Sequence, residues 1–96
     1  MNRYSVQVTT HFEREFLKLN HQHPEIKSIF RDQVIPTLSE DPLNNTRTHP
    51  IAKLQGVPAG EAQYRIRFER FRFRYDIVGH RVYLKVCSLR NEATYR

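Results

Sequence analysis

The chain has 96 residues, which suits one domain, and its 39% hydrophobic residues include six Phe and five Tyr, enough for one modest core. A single cysteine, Cys87, excludes an internal disulfide framework and a cysteine-based zinc site. No apolar run approaches the roughly 20 residues of a membrane span, and the N-terminal stretch lacks the apolar core of a signal peptide. We therefore expect a soluble, cytoplasmic protein with a single domain over residues 1–96.

The formal net charge of +6 resides entirely in the last third of the chain. Residues 1–63 hold seven basic and seven acidic residues, whereas residues 64–96 hold nine basic residues against three acidic ones. Twelve of the sixteen basic residues are Arg, the side chain that binds phosphate and carboxylate in a bidentate manner. This charge distribution favours a polyanion as the partner. The alternative is a basic surface that only keeps the protein in solution.

The first third of the chain predicts a short strand followed by a helix. Residues 3–9 alternate apolar and polar side chains, which is typical of a strand. Thr10 lies three residues before Glu13, the arrangement of a capping box, so we expect the first helix to begin there. The helix should end before Pro24, which can open the next helix. Its apolar face comprises Phe12, Phe16, Leu17 and Leu19.

A second helix is predicted from apolar residues at helical spacing between Ile26 and Leu38. Pro36 lies inside this run, and we expect it to kink the helix or end it early. The segment from Asp41 to Gln63 is rich in Pro, Gly, Asn and Thr, so we predict a loop. A loop this long in a compact domain is often functional.

The stretch YRIRFERFRFRYDI, residues 64–77, predicts a β-hairpin. Its apolar residues share one phase of a period-two pattern and then switch phase at Glu69-Arg70, so the chain must reverse there for both sets to face one core. A second turn at Gly79-His80 leads to another strand, whose inward residues we expect to be Val82, Leu84 and Val86. The predicted fold class is α+β: an N-terminal strand, two helices, and a three-stranded antiparallel meander with the helices on one sheet face.

The hairpin directs four arginines to the sheet face away from the helices. Paired strands lie about 5 Å apart and alternate residues about 7 Å apart, so their guanidinium groups crowd one small patch. Like charges at this spacing repel, and selection for stability alone would rarely assemble them. A patch of this kind can hold several backbone phosphates. The alternative is a solvated face paired with neighbouring carboxylates, of which there are few. The four residues are Arg65, Arg67, Arg72 and Arg74.

The five histidines and the cysteine do not predict a metal or nucleophile site. No carboxylate spacing joins the histidines into a ligand set, so no metal is expected. His49 is the one to keep in view, because its loop precedes the arginine-rich strand. Cys87 has no evident His partner and is interpreted as a packing or surface residue. Tyr4 and Tyr75 are interpreted as core residues.

Several motifs in order resemble the RelE/ParE toxin superfamily of bacterial and archaeal toxin–antitoxin pairs: AKLQG, YRIRF, FRFRYDI, VYLKV and the terminal LRNEATYR. The resemblance covers nearly the whole chain and implies a microbial ribonuclease-like α+β fold. RelE-like members are ribosome-dependent endoribonucleases that cleave mRNA in the A site. ParE-like members poison DNA gyrase and have no nuclease site.

The resemblance to the RelE branch also implies site residues. Its basic positions in the first hairpin strand fall on Arg65 and Arg67, and the Arg of the next strand falls on Arg72. Its C-terminal Arg and Tyr fall on Arg90 and Tyr95, which are separated here by four residues where the family more commonly has three. These five are the candidate catalytic residues. Further basic residues that we expect to bind RNA are Arg74, Lys53, Lys85 and Arg96.

Cleavage of RNA by its own 2′-OH needs charge stabilisation and proton transfer. Clustered Arg suits the first task, since preorganised positive charge stabilises the dianionic transition state. Arg is a poor base because it stays protonated. Tyr95 beside several cations is the candidate for proton transfer or for stacking on a base, and Glu92 is a weaker candidate base. No cofactor is required.

The predicted function is that of a type II toxin, a ribosome-dependent endoribonuclease that cleaves mRNA and inhibits translation. The implied partners are the ribosome with its mRNA and a cognate antitoxin, with which the chain should form a hetero-oligomer; no membrane is involved. An acidic, partly disordered partner suits the charge of +6. Two alternatives stay open: a ParE-like gyrase inhibitor without nuclease activity, and an inactive member that only binds RNA or antitoxin.

Overall fold

A computed structural model describes residues 3–90 and shows one mixed sheet of five strands in the order β1-β5-β4-β3-β2. β1 runs parallel to β5, and the other neighbours are antiparallel. The α+β class is confirmed, but the prediction of a three-stranded antiparallel meander was wrong, because an N-terminal and an additional short strand join the same sheet. The strands are β1 (Ser5–Val8), β2 (Ile51–Lys53), β3 (Tyr64–Phe68), β4 (Phe71–Val78) and β5 (Arg81–Leu89).

The first helix, α1 (Thr10–Gln22), begins at Thr10 as predicted, but its capping residue lies one position before the threonine of the predicted capping box. Thr9, not Thr10, is the N-cap: its backbone is extended and its Oγ1 accepts a hydrogen bond of 3.1 Å from the amide of Phe12. Both threonines carry the required hydroxyl, but Thr9 keeps the extended backbone of β1, which an N-cap residue needs. The helix therefore begins directly after the strand.

The second helical segment continues through Pro36 to Glu40, so the proline does not end it early, although the segment is irregular just before the proline. It consists of α2 (Glu25–Ile29), a π-helical turn (Phe30–Val34) and α3 (Ile35–Glu40). The amide of Ile35 donates to the carbonyl of Phe30, five residues earlier. A proline removes one helical hydrogen bond and crowds the carbonyl four residues before it. The wider π turn makes room for the ring.

The predicted loop from Asp41 to Gln63 contains β2, which the sequence analysis missed. β2 pairs antiparallel with β3, with Ile51 opposite Ile66 and Lys53 opposite Tyr64. Three residues are too few to show a period-two pattern. A short edge strand of this kind forms because its neighbour offers a row of backbone groups that need partners.

The segment before β2 is held by the carboxylate of Asp41. This carboxylate accepts hydrogen bonds from the amides of Asn45 and Thr46 and from the hydroxyl of Thr46. Burial alone would raise the pKa of Asp41, but these hydrogen bonds outweigh it and hold the pKa below its ordinary value. Nearby, the buried Tyr75 hydroxyl donates to the Pro42 carbonyl at 2.6 Å. The segment is therefore ordered by its own polar contacts.

The helices pack on one face of the sheet and form a single core. The predicted hairpin turns are confirmed: Phe68 pairs with Phe71 around Glu69-Arg70, and Val78 pairs with Arg81 around Gly79-His80. Among residues 3–90 no helix is long and apolar enough to cross a membrane. The core contains Phe12, Ile26, Ile29, Val34, Leu38, Ile66, Phe71, Phe73, Tyr75, Val82, Leu84 and Cys87.

A β-bulge in β5 reverses the predicted orientation of its second half. Tyr75 pairs with Leu84 and Arg74 pairs with Val86, so Lys85 is an extra residue without a position in the ladder. The prediction that Val86 faces the core was therefore wrong. Cys87 takes the buried position instead, with 2% of its surface exposed.

The environment of Cys87 predicts an unreactive thiol. Burial, with a smaller contribution from Glu15, raises the pKa of Cys87 to about 12, so the thiol stays protonated near neutral pH. We expect iodoacetamide at pH 8 to label the native protein far more slowly than the urea-unfolded protein. Mass spectrometry of timed samples measures both rates, and equal rates would contradict the buried placement.

Candidate functional site

The four outward arginines of β3 and β4 form two directly opposed cross-strand pairs, Arg65 with Arg74 and Arg67 with Arg72. We call these four residues the arginine face. Directly opposed residues of antiparallel strands have Cβ atoms about 4.5–5.5 Å apart and point to the same side of the sheet. The residues between them, Ile66 on β3 and Phe73 on β4, point to the opposite side and are buried in the core. The structure therefore brings all four predicted arginines together.

This arrangement concentrates positive charge on one sheet face. Arg67 is exposed, while Arg65 and Arg72 are half-buried. Like charges directly opposite each other destabilise a sheet. Fixed guanidinium groups that point to the same side can contact successive phosphates of a nucleic-acid strand, which repays that cost when the ligand binds. The geometry therefore favours binding of a polyanion, although the opposed like charges disfavour the stability of the free sheet.

Arg74 differs from the other three because it holds a loop. Its Nε and Nη2 donate to the carbonyl of Ala62, at 3.3 and 2.9 Å, and Nη2 also donates to the carbonyl of Glu61. Lys85 acts in the same way: its Nζ donates to the carbonyl of Gly60 at 2.8 Å and lies 3.1 Å from the Asp76 carboxylate. Both side chains, predicted to bind RNA, thus fasten the loop that precedes β3.

Asp76 completes this attachment from the middle of β4. It is 5% exposed, and its two carboxylate oxygens accept hydrogen bonds from the amides of Ala62 and Gln63 at 2.8 and 2.9 Å. We call Arg74, Asp76 and Lys85 the loop clasp. Burial alone would raise the pKa of Asp76, but the two amides and Lys85 hold it below its ordinary value. Asp76 is therefore an ionised carboxylate that binds both the loop and Lys85.

The loop clasp holds Ala62 in an unusual backbone conformation. Ala62 has φ of 60° and is 1% exposed. A side chain in the left-handed region costs roughly 1–2 kcal/mol, so surrounding contacts must enforce it. Asp76 binds the amide of Ala62 and Arg74 binds its carbonyl, which supplies that enforcement on both sides.

A pocket of about 630 Å³ opens beside the loop clasp, at the end of the arginine face where Arg74 lies. The bulge places both Lys85 and Val86 in its wall, although adjacent residues of a regular strand would point to opposite faces. We call this space the bulge pocket. Thr9 and His11, at the start of α1, line its other side. The strand pattern predicts neither the pocket nor the loop clasp; the signal that points to the clasp is Asp76, an acidic residue within an apolar strand.

The other predicted site residues lie elsewhere or outside the described part of the chain. Lys53 pairs with Tyr64 across the strands and lies on the same sheet face, with its Nζ 5.8 Å from the centre of the Tyr64 ring. This face is opposite to the arginine face, so Lys53 does not join it. Arg90 is exposed, and its amide donates to the Arg70 carbonyl. It lies two residues after Ser88, and Ser88 is the cross-strand partner of Arg72. This places Arg90 at the Arg67–Arg72 end. Tyr95, Arg96 and Glu92 lie outside residues 3–90.

The histidines show no ligand arrangement in the described part of the chain. His49 lies with its Nε2 3.6 Å from the Asp41 carboxylate, within the ordered segment before β2. Across residues 3–90 no three side chains of the His, Cys, Asp and Glu types are placed to hold a metal ion. His49 thus has a structural contact with Asp41. Among the described residues, no metal-binding group lies beside the arginine face.

Comparison with known proteins places this geometry on a known fold. The sequence matches no protein-family model, and it matches no curated protein. The structure is similar to a chain of the archaeal RelE–RelB complex from Pyrococcus horikoshii OT3, with 16% sequence identity, a TM-score of 0.51, and coverage of 94% of this chain and 98% of that chain. The similarity supports the RelE-like fold that the sequence motifs predicted.

Proposed function

We propose that this protein is the toxin of a type II toxin–antitoxin system, an endoribonuclease that cleaves mRNA on the ribosome and so inhibits translation. The observation that carries the proposal is that four arginines share one face of a RelE-like fold. They form two cross-strand pairs, Arg65 with Arg74 and Arg67 with Arg72. Four cations fixed on one sheet face oppose stability and favour a phosphate backbone.

The arginines supply electrostatic catalysis. In the proposed reaction the 2′-OH of the RNA attacks the adjacent phosphorus, the bond to the 5′ oxygen breaks, and negative charge develops on the phosphate oxygens. Arg72, between Arg67 and Ser88 in the sheet, is the residue that we assign to stabilise this charge. Arg65 and Arg67 hold the backbone, and Arg90 adds positive charge at the same end.

Proton transfer is assigned to residues other than arginine. Arg stays protonated and cannot take the 2′ proton. Tyr95 is the proposed group for proton transfer or base stacking, with Glu92 as the weaker candidate. Because the chain offers clustered cations but no strong base among its assigned residues, positioning of the mRNA by the ribosome supplies much of the rate. Free RNA should therefore be cut poorly.

The proposed protein partner is a cognate antitoxin. The structure with the similar fold comes from a complex of RelE with RelB. On this chain, α1 exposes Leu17 to 66% beside a small apolar groove of about 160 Å³ that is also lined by Phe16 and Phe30. An amphipathic helix of an acidic partner fits such a surface, with its charges complementing the net charge of +6.

The function is tested by induced expression in bacteria with pulse-labelling of protein and DNA. We expect incorporation of labelled amino acid to stop first, with mRNA cleaved at sites within translated codons when mapped by primer extension. Co-expression of the antitoxin should restore growth. Early loss of DNA synthesis with translation intact would instead indicate a ParE-like gyrase inhibitor, and unaffected growth would indicate an inactive family member.

A further inference from the structure

Three costly features lie in the wall of the bulge pocket or directly beside it. These are a β-bulge at Lys85, a left-handed Ala62, and the buried carboxylate of Asp76. Bulges that redirect a side chain occur preferentially beside active sites, and backbone strain clusters at ligand sites. Two of them, the bulge at Lys85 and the left-handed Ala62, lie in the pocket wall itself. Their coincidence indicates that the pocket is built for an occupant.

The walls of the pocket suit a flat, largely apolar group with polar edges. Val57, Pro58 and Val86 supply apolar surface, and the loop and Thr9 supply backbone and hydroxyl groups. The volume of about 630 Å³ lies within the range of small-molecule sites, roughly 300–1,000 Å³. The side of the pocket formed by the loop and by β4 and β5 includes Val57, Pro58, Ala62, Arg74, Lys85 and Val86.

The local charges disfavour a phosphate inside the pocket. The ammonium group of Lys85 lies 3.1 Å from the Asp76 carboxylate, which offsets its charge. The acidic Glu61 also lines the pocket, and the guanidinium group of Arg74 donates to loop carbonyls. A phosphate there would meet less positive potential than on the arginine face. A neutral aromatic group with hydrogen-bonding edges, such as a nucleobase, meets no such penalty.

The pocket is also continuous with the arginine face. Arg74 lines the pocket and stands directly opposite Arg65 on β3. A nucleotide next to a phosphate held by Arg65 therefore reaches the pocket with its base. We propose that the bulge pocket receives one unpaired nucleobase of the RNA whose backbone lies on the arginine face. This inference rests on the proposed function and makes the pocket a determinant of sequence preference.

The inference is tested by binding of single-stranded RNA heptamers that carry one abasic nucleotide at each position in turn. Affinity is measured by fluorescence anisotropy at low salt with the full chain. We expect one position to lose about tenfold affinity when abasic, because the base would no longer fill the apolar pocket. Val86→Phe, which fills the pocket, should weaken the unmodified RNA about tenfold and abolish that positional loss.

A matched control is Val78→Phe, because Val78 is 63% exposed at the far end of β4 and lines no part of the pocket. It should bind every heptamer as the parent does. Circular dichroism checks that both variants are folded. On the unmodified protein, 4-thiouridine at the sensitive position should photo-crosslink to a peptide containing Val57 or Val86.

The possible failures are distinguishable. If RNA binds but no abasic position loses affinity, or the crosslink falls outside the pocket, the base-binding inference is wrong while RNA binding by the arginine face stands. If the positional loss persists in folded Val86→Phe protein, the inference is equally overturned. If no RNA binds even at low salt, both the inference and the RNA-binding basis of the proposed function fall.

Discussion

Replacement of Arg72 by Ala is expected to abolish toxicity and leave the protein folded. The side chain leaves β4 on the face away from the core, opposite Arg67 and Ser88. Its truncation removes charge and no part of the hydrophobic core, so we expect a change in stability that is small beside the loss of activity. Loss of a group that stabilises transition-state charge costs roughly 100- to 1,000-fold in rate. Titrated expression with a growth readout measures toxicity, and thermal unfolding measures stability.

The control for this substitution is Arg31→Ala. Arg31 lies in the π-helical turn, makes its ion pair with Asp32 at 2.8 Å, and is exposed. An exposed ion pair of this kind contributes little to stability, so this variant should stay folded and toxic. If folded Arg72→Ala protein is as toxic as the parent at matched expression, Arg72 has no catalytic role and the assignment of the site is wrong.

Replacement of Asp76 by Asn is expected to release the loop that precedes β3. The carboxylate accepts bonds from two backbone amides and from Lys85, and an Asn side chain would turn an NH₂ donor toward one of these donors. Leaving a buried donor without its acceptor costs about 1–3 kcal/mol. Urea unfolding should show this loss, and hydrogen exchange at the Ala62 and Gln63 amides should accelerate.

The same variant has a defined pH dependence. The folded pKa of Asp76 lies below its unfolded value of about 3.9, so the stabilisation is fully present above that value and is lost as pH falls through the folded pKa. The difference in free energy of unfolding between parent and Asp76→Asn should therefore be largest near neutral pH and shrink below about pH 4. A pH-independent difference would contradict an ionised clasp. Asp32→Asn, at an exposed position, is the control that should change stability little.

The hairpin and the arginine face could be predicted from the sequence because their information is local. A period-two pattern that switches phase at Glu69-Arg70 allows one register, and that register decides which side chains share a face. Arg65, Arg67, Arg72 and Arg74 therefore had to lie together once the apolar residues between them faced a core. The helices followed equally from apolar spacing that extends over three turns or more.

Only the tertiary structure decided the features that depend on partners distant in the chain. β2 is three residues long and exists because β3 lies beside it. The π turn before Pro36 depends on how the helix packs, and the bulge at Lys85 depends on the register between β4 and β5. No periodicity in the sequence predicts the short strand, the π turn or the bulge.

The loop clasp shows the limit most clearly. From the sequence, Arg74 and Lys85 were predicted to be two further RNA-binding cations. A strand pattern shows only the residue type and the sheet face on which each residue lies. For Asp76, the sequence showed only an isolated acidic residue in an apolar strand. Their contacts with Gly60, Glu61 and Ala62 arise because the loop folds back over the sheet, and a buried carboxylate must find donors wherever the chain brings them. The sequence by itself thus determined which cations share a face, and folding determined which of them hold the protein's own backbone.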